Sequence, residues 1–177
     1  MIGIYFCIQY VNLLLQKPNK HGRPLLMKTL ILATGTTREK HLVALEAEYL
    51  SRFPKVLQPT VKELPEGKTA AQTAATQLAA LNEAGAGAYK IALDERGALL
   101  TSLEWAAALA KQALQGTKTV VFIIGGADGL TDEVRAACNA VWGLGRLTFP
   151  HQLVRGLLAE QLYRAHTINT GHPYHRV

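Results

Sequence analysis

Residues 119–149, TVVFIIGGADGLTDEVRAACNAVWGLGRLTF, are the stretch that decides the fold of this chain. They open with an apolar, mostly β-branched run at residues 120–124, which has the length of a strand buried on both faces. A glycine turn, a helical segment, a second glycine turn and a second predicted strand at residues 146–149 follow. Such an arrangement forms a pocket of bare backbone at the carboxyl ends of parallel strands, where open α/β sheets bind ligands. The glycines of the two turns are Gly125, Gly126 and Gly129, then Gly143 and Gly145.

The rest of the chain alternates between short apolar runs and segments with helical spacing. This alternation predicts a three-layer, Rossmann-like α/β domain with a mostly parallel sheet. Ser102 is predicted to cap the third helix without a glutamate three residues later, and Pro150 to occupy the first position of the last helix. The predicted strands are residues 28–33, 56–64, 89–93, 120–124 and 146–149. The predicted helices are residues 38–52, 69–83, 102–116, a segment starting at 131, and 150–166.

Residues 1–26 differ from the remainder of the chain. Their apolar part ends near Leu15, which is too short to span a bilayer, and no basic segment precedes it as in a signal peptide. A linker rich in helix breakers follows at residues 16–24, and a strand pattern begins directly after Met27. We therefore predict that residues 27–177 form the functional domain and that residues 1–26 are an upstream extension. A membrane-surface anchor is the alternative for this extension.

The composition indicates a soluble globular protein with a modest positive charge. Hydrophobic residues make up 49% of the chain, mean hydropathy is +0.08 and the net charge is +6. Three basic residues and no acidic one lie in residues 1–26, so that the remainder, with 16 basic and 13 acidic residues, carries only +3. This balance does not by itself establish nucleic-acid binding. Cys7 and Cys138 offer neither a disulfide framework nor a metal-ligand spacing, which suits a reducing, cytoplasmic location.

Several common enzyme signatures are missing. The first predicted strand is followed by Thr34, Gly35 and Thr36 rather than by a dinucleotide-binding glycine fingerprint. The chain also lacks a Walker sequence, a Gly-x-Ser-x-Gly sequence and a cluster with zinc-ligand spacing. The pocket predicted at the glycines suits an adenine-bearing ligand, although the glycines could serve only to make tight turns. The apolar residues expected near it are Leu93, Ile124, Leu144, Leu147 and Phe149.

The C-terminal segment concentrates residues that suit RNA chemistry. His151 and Arg155 are four residues apart and share a helix face. Residues 172–176 (HPYHR) place a candidate base, a stacking ring and a phosphate-binding fork close together. No lysine follows residue 118, and the arginines that do follow suit either phosphate contacts or ordinary ion pairs. These are Arg135, Arg146, Arg155, Arg164 and Arg176.

Three stretches resemble the ribosomal RNA large subunit methyltransferase H family of the SPOUT class, whose members methylate N3 of a pseudouridine in large-subunit (23S) rRNA. They are residues 122–130 (FIIGGADGL), 147–165 (LTFPHQLVRGLLAEQLYRA) and 172–176. The likeness runs from Met27 to the end of the chain and is weakest over residues 60–90. It implies a C-terminal trefoil knot, which is rare among folds. It further implies S-adenosyl-L-methionine as the cofactor, a homodimer whose site the partner chain completes, and no metal.

The resemblance also implies residues for the cofactor site. Gly143 and Gly145 stand where relatives often have serines, so a hydroxyl contact there would be missing. The implied cofactor-binding residues are Leu93, Gly125, Gly126, Leu144, Gly145, Arg146, Leu147, Thr148 and Phe149.

The catalytic residues implied by the resemblance lie in the C-terminal segment. N3 of the uracil ring must lose its proton before it attacks a sulfonium methyl group, and histidine is a suitable base at neutral pH. His175 is the first candidate and His151 the second, which could instead orient the loop. Tyr174 would stack on the target base, and Arg155 or Arg176 would hold a phosphate.

Two other functions remain open at this point. A SPOUT methyltransferase could act on another RNA, such as tRNA, and a non-catalytic, ribosome-associated RNA-binding module could keep the same fold. The modest charge of residues 27–177 favours large-subunit rRNA within the assembled ribosome as the partner, because the shape of that surface would supply much of the affinity.

Overall fold

The structure is a computed structural model that describes residues 27–176, so the predicted extension lies outside the described residues. Within this range five strands alternate with five helices. The strands are β1 (Lys28–Thr34), β2 (Thr60–Leu64), β3 (Tyr89–Leu99), β4 (Thr119–Ile124) and β5 (Ala140–Gly143). The helices are α1 (Lys40–Ser51), α2 (Ala70–Glu83), α3 (Ser102–Leu114), α4 (Asp132–Ala136) and α5 (His151–Thr170).

The strands form a parallel sheet in the order β2-β1-β4-β3-β5, which confirms the predicted parallel α/β fold. β4 lies in the centre and pairs with β1 on one side and β3 on the other. Residues 120–124 of this strand are all buried, as their continuous apolar sequence predicts.

Helices cover both faces of the sheet. Because side chains alternate along a strand, Phe122 of β4 points to one face and Ile123 to the other. Phe122 packs in a cluster with α3 and α5, and its ring lies 5.9 Å from that of Trp105. Ile123 packs in a second cluster with side chains of α2 and α4. The result is the predicted three-layer arrangement, with α1, α3 and α5 on one face and α2 and α4 on the other.

The last strand is not where the sequence pattern placed it. β5 covers Ala140–Gly143, whereas residues 146–149, predicted as a strand, form a loop. The pairing begins at Asn139, which exchanges hydrogen bonds with the backbone of Lys90 on β3. The side chain of Trp142 is buried in the core, which favours the pairing of residues 140–143. The side chain of Leu147 is 71% exposed and lies outside the core.

Smaller corrections concern the edges of elements. β2 begins at Thr60 rather than at residue 56, since residues 54–57 form a turn closed by Leu57 N and Pro54 O at 2.8 Å. β3 continues past residue 93 to Leu99 through a bulge.

Two helix starts also differ from their predictions. The N-cap of α3 is Thr101 rather than Ser102. Thr101 and Glu104 form a complete capping box, with Glu104 Oε2 accepting from Thr101 N at 2.7 Å. Pro150 is the N-cap of α5 rather than its first helical residue.

Candidate functional site

A cavity of about 570 Å³ opens at the carboxyl edge of the sheet, beside the ends of β3 and β4. The cavity has three walls. The first is the bulge of β3 at residues 94–97, called here the β3 excursion; the others are the turn after β4 and the loop that joins β5 to α5. Eight of the nine residues predicted for the cofactor line this cavity, and Arg146 does not. The eight are Leu93, Gly125, Gly126, Leu144, Gly145, Leu147, Thr148 and Phe149.

The turn after β4 depends on its glycines. A Cβ on Gly125 would lie 2.4 Å from the carbonyl carbon of Gly129, so the chain can fold back on itself only without a side chain here. Gly126 and Gly129 form an isolated bridge, and Gly129 has a φ of 74°, a conformation that favours glycine. The wall of the cavity is therefore backbone, as the sequence predicts.

An ion-pair cluster fixes the excursion of β3 against the start of α4. Arg135 Nη1 lies 2.8 Å from Asp94 Oδ2 and also donates to the carbonyl of Leu130. Arg96 Nε donates to Asp94 Oδ1 at 3.0 Å. Burial opposes ionisation of Asp94, but the hydrogen bonds from Arg96 and the charge of Arg135 outweigh it and lower the pKa of this carboxyl group. The cluster thus joins two walls of the cavity.

The third wall is the loop from residue 144 to 150. Thr148 Oγ1 donates to Glu95 Oε2 at 2.7 Å, which links this loop to the β3 excursion across the mouth of the cavity. Phe149 turns back toward Gly145, where an added Cβ would lie 3.7 Å from its ring. Leu147 extends outward and is largely exposed, so this wall offers apolar surface at the entrance.

His151 and Glu66 both approach the turn after β1, but only His151 lines the cavity. His151 is the first residue of α5 and lines the cavity. A Cβ on Gly35 would lie 3.6 Å from His151 Nε2 and 3.8 Å from Glu66 Cδ, so both side chains reach the same turn after β1. Glu66 Oε1 also accepts from Ala127 N at 3.2 Å. Glu66 is not among the residues predicted from the sequence; its position two residues after β2, at the carboxyl edge, was the available signal.

Known proteins are similar to the chain across the whole described domain. The family described as predicted SPOUT methyltransferase matches residues 27–175. Ribosomal RNA large subunit methyltransferase H of Methylocella silvestris is 40% identical over 159 residues, which cover 85% of this chain and 99% of that protein. The proteins of the same name from Thiobacillus denitrificans and Neisseria meningitidis are 43% and 42% identical with the same coverage. The chain belongs to the ribosomal RNA large subunit methyltransferase H family.

A solved structure is also similar to this methyltransferase H family member. It is the SpoU methyltransferase AviRb from Streptomyces viridochromogenes, in complex with the cofactor AdoMet. The TM-score is 0.44 at 12% identity, and the alignment covers 81% of this chain and 62% of that one.

Arg155 of this methyltransferase H family member lies outside the cavity. Its side chain is 9% exposed and is held by Glu46 and Glu63, with Nε 2.6 Å from Glu46 Oε2 and Nη1 2.7 Å from Glu63 Oε1. The hydrogen bond from Arg155 lowers the pKa of Glu63. Both carboxylates therefore occupy the guanidinium group that the sequence analysis assigned to a phosphate. The geometry gives Arg155 the role of joining α5 to α1 and β2.

The C-terminal tail also lies away from the cavity of its own chain. Tyr174 donates to Glu160 Oε1 at 2.9 Å, and its ring lies 4.9 Å from that of Tyr163. His175 Nδ1 lies 3.2 Å from Arg164 Nη1. Burial raises the pKa of Tyr174, and its hydrogen bonds to neighbouring groups add to this effect. None of these residues lines the cavity, so the structure brings His151 to the predicted cofactor residues but not His175, Tyr174 or Arg176.

No group of three histidine, cysteine, aspartate or glutamate side chains is arranged to hold a metal ion within residues 27–176. No helix in the described part of the chain has the length and apolar character needed to cross a bilayer.

Proposed function

We propose that this protein transfers the methyl group of S-adenosyl-L-methionine to N3 of a pseudouridine in large-subunit (23S) rRNA. Relatives named ribosomal RNA large subunit methyltransferase H are 38–43% identical over nearly their whole length. The observation that carries the proposal is the cavity itself, because one glycine-walled pocket gathers eight residues predicted for the cofactor together with His151.

The residues of the cavity fit this cofactor. Its volume lies within the range of about 300–1,000 Å³ usual for small-molecule sites. Leu93, Ile124 and Leu144 offer apolar surface for an adenine ring, and the bare backbone at Gly125 and Gly126 allows close approach. A side chain at Gly126 would fill this cradle, because its Cβ would lie 1.9 Å from Glu66 Oε1. When bound there, S-adenosyl-L-methionine supplies a methyl group already activated on a sulfonium, so the protein has mainly to position the acceptor and accept a proton.

His151 is the candidate base that this proposal assigns to the cavity of its own chain, because its side chain lines that cavity. The N3 proton of a uracil ring lies between two carbonyl groups and must be removed as the new N–C bond forms. A neutral imidazole can accept it near pH 7. The carboxylate of Glu66 approaches the same turn at Gly35, and its charge would favour a protonated imidazole there.

The tail is proposed to act in the cavity of a second copy. α5 has 20 residues and is therefore about 30 Å long, with His151 at its start and the tail at its end. His175, Tyr174 and Arg176 of one chain are thus remote from the cavity of that chain. A homodimer that brings the tail of each copy to the cavity of the other would add a second base, a stacking ring and a phosphate contact. The trefoil knot implied by the family stays a prediction, as do the cytoplasmic location and the assembled ribosome as substrate.

Mass mapping of rRNA nucleosides tests the proposed function directly. Cells lacking the protein should lose a methylated pseudouridine from large-subunit rRNA, and the wild-type gene should restore it. His151→Ala and His175→Ala should restore it poorly, whereas a control variant distant from the cavity, Gly87→Ala, should restore it fully. Methylation confined to tRNA would contradict the rRNA assignment. A folded protein that shows no calorimetric binding of S-adenosyl-L-methionine would indicate a non-catalytic module instead.

A further inference from the structure

Free carboxylates are distributed unevenly over the domain. Within residues 27–176, six acidic side chains have no lysine or arginine within 4 Å. They follow the carboxyl ends of strands, lie in the bulge of β3 beside the cavity, or stand at the starts of helices, so all six lie at the edge of the sheet that carries the cavity. They are Glu39, Glu66, Glu95, Glu104, Asp128 and Glu133.

Free cations show a different distribution. Six lysine and arginine side chains lie at the opposite, amino edge of the sheet, and none of the six has an acidic partner in the described range. They belong to the starts of strands, the segments before them, the end of α3 and the tail. This edge has no free carboxylate among the described residues. The six cations are Lys28, Lys55, Lys90, Lys111, Lys118 and Arg176. Four others, Arg38, Lys40, Lys68 and Arg146, lie at the carboxyl edge among its six free acids.

Helix dipoles explain only part of either distribution. Acidic residues stabilise the first turns of helices, which parallel α/β folds place at the carboxyl edge, but only Glu104 and Glu133 among the six free acids lie in such a turn. The same effect would place cations in the last turns, yet α1, α2 and α5 have none there. Among the six amino-edge cations, Lys111 in the last turn of α3 is the one that fits that explanation. The other amino-edge lysines therefore carry a positive field that local helix stability does not require.

We propose that the amino edge of the sheet, defined by Lys28, Lys55, Lys111 and Lys118, binds the phosphate backbone of the RNA substrate. This proposal rests on the proposed function, which makes the partner a polyanion. Unpaired, exposed lysines with no neighbouring free acid are the side chains that contribute sequence-independent affinity for phosphates. The net charge of the domain is small only because the free acids at the cavity edge offset these lysines.

The geometry separates this surface from methyl transfer. Lys28 N donates to Lys118 O at 2.9 Å, so these two residues mark the start of neighbouring strands in the centre of the sheet. The six residues of β4 then span about 20 Å to the cavity at its other end. Removal of lysines from the amino edge should therefore weaken RNA binding without altering cofactor binding. The tail packs on the same edge, where Tyr174 lies beside Arg164 of α5 and Tyr49 at the end of α1.

Charge reversal on the two edges tests the proposal. One variant combines Lys55→Glu with Lys118→Glu at the amino edge, and the matched control combines Lys40→Glu with Lys68→Glu at the carboxyl edge. All four side chains are exposed and without an acidic partner in the described range, and both variants change the net charge equally. For each, calorimetry gives the affinity for S-adenosyl-L-methionine, and methylation kinetics with large ribosomal subunits give KM, kcat and the salt dependence. Filter binding of large-subunit rRNA provides a readout that needs no methylation.

The amino-edge variant should raise KM for the subunits about tenfold or more, with kcat and cofactor affinity within about twofold of wild type. The slope of log KM against log salt should fall by roughly 0.7–1 for each phosphate that the variant no longer neutralises. The carboxyl-edge variant should show a much smaller change. Equal effects in the two variants, or an unchanged salt slope in the first, would overturn the proposal. So would weaker binding to subunits with unchanged binding to protein-free rRNA, because that result would assign the surface to a ribosomal protein. Should the wild type methylate no rRNA, the proposed function fails, and the binding assay still decides whether this edge holds RNA.

Discussion

Single residues of this domain take their roles from contacts that sequence spacing shows only in part. His151 and Arg155 lie on one helix face, as their spacing predicts, but only His151 reaches the cavity. Arg155 forms ion pairs with Glu46 and Glu63, which lie 109 and 92 residues away in the chain. No local pattern reveals partners at such separations, so a helix position could be predicted while the partner of its side chain could not.

Gly125 provides the first residue-scale prediction. In Gly125→Ala the new methyl group would overlap the backbone of Gly129, which cannot move away as a side chain could. We expect a loss of about 1–3 kcal/mol in the free energy of unfolding and at least a tenfold loss of cofactor affinity. Denaturant titration and calorimetry measure the two effects. Gly87→Ala is the control, since nothing lies within 4 Å of its Cβ and its stability should stay within about 0.5 kcal/mol. Wild-type cofactor affinity in Gly125→Ala would show that the turn is not a wall of the site.

Arg155→Met tests whether this residue is structural. The change leaves Glu46 and Glu63 without their cation, and we expect a loss of about 2–4 kcal/mol, reduced from fully buried cases because Glu63 is 39% exposed. Lys62→Met, which breaks an exposed pair with Glu83, should cost no more than about 1 kcal/mol. The salt slope of RNA binding should be unchanged in both variants. A stable Arg155→Met protein whose salt slope falls by about one would restore the phosphate assignment.

At the scale of elements, strong patterns predicted the fold and short ones did not. β4 is a continuous apolar run in the centre of the sheet, and both its position and its glycine turn follow from the sequence. β5 has four residues, and its pairing depends on the Asn139 contact with β3 rather than on its own composition. The loop at residues 144–150 contains residues that suit a strand, but Thr148 is held by Glu95 from another element. The site was therefore predicted as a set of residues, without the contacts that shape it.

The β3 excursion gives the prediction that belongs to this scale, because its carboxylate joins two walls of the cavity. Asp94 has a lowered pKa in the folded protein, so its contribution to stability is present above the unfolded value of about 3.9 and is lost as pH falls through the folded value. We expect Asp94→Asn to lose about 1–3 kcal/mol at pH 7 and to show a weaker decline below pH 4 than the wild type. Glu133→Gln, which removes an exposed acid without an ion pair, should change stability by less than about 0.5 kcal/mol. Denaturant titrations at pH 7 and pH 3.5 compare the three proteins. If Asp94→Asn and wild type lose the same free energy of unfolding between pH 7 and pH 3.5, the Asp94 carboxylate does not stabilise the protein by joining the two walls.

At the scale of the whole molecule, composition provides the sum of the charges but not their arrangement. Residues 27–177 carry a net charge of only +3, from which little electrostatic steering of RNA is expected. The fold distributes these charges by strand polarity: the cavity edge holds all six free acids together with four free cations, and the far edge holds six free cations and no free acid among the described residues. The composition of the tail likewise does not predict its position. Its residues suit RNA chemistry, but its contacts with Tyr163 and Arg164 hold it away from the cavity of its own chain.

Mixed dimers test whether the tail serves a second copy. Gly125→Ala has a damaged cavity but keeps its tail, and His175→Ala lacks the tail base but keeps its cavity, so each homodimer should have low activity at a cofactor concentration near the wild-type Kd. After the two are mixed and allowed to exchange subunits, half of the dimers pair an intact cavity with an intact tail from the other chain. Activity should recover to about a quarter of the wild-type rate, because each mixed dimer has one complete site. A mixture of Gly125→Ala with Phe149→Ala, two cavity variants, should not recover. No recovery with Gly125→Ala and His175→Ala, although native mass spectrometry shows mixed dimers, would mean that each tail must fold back onto its own chain.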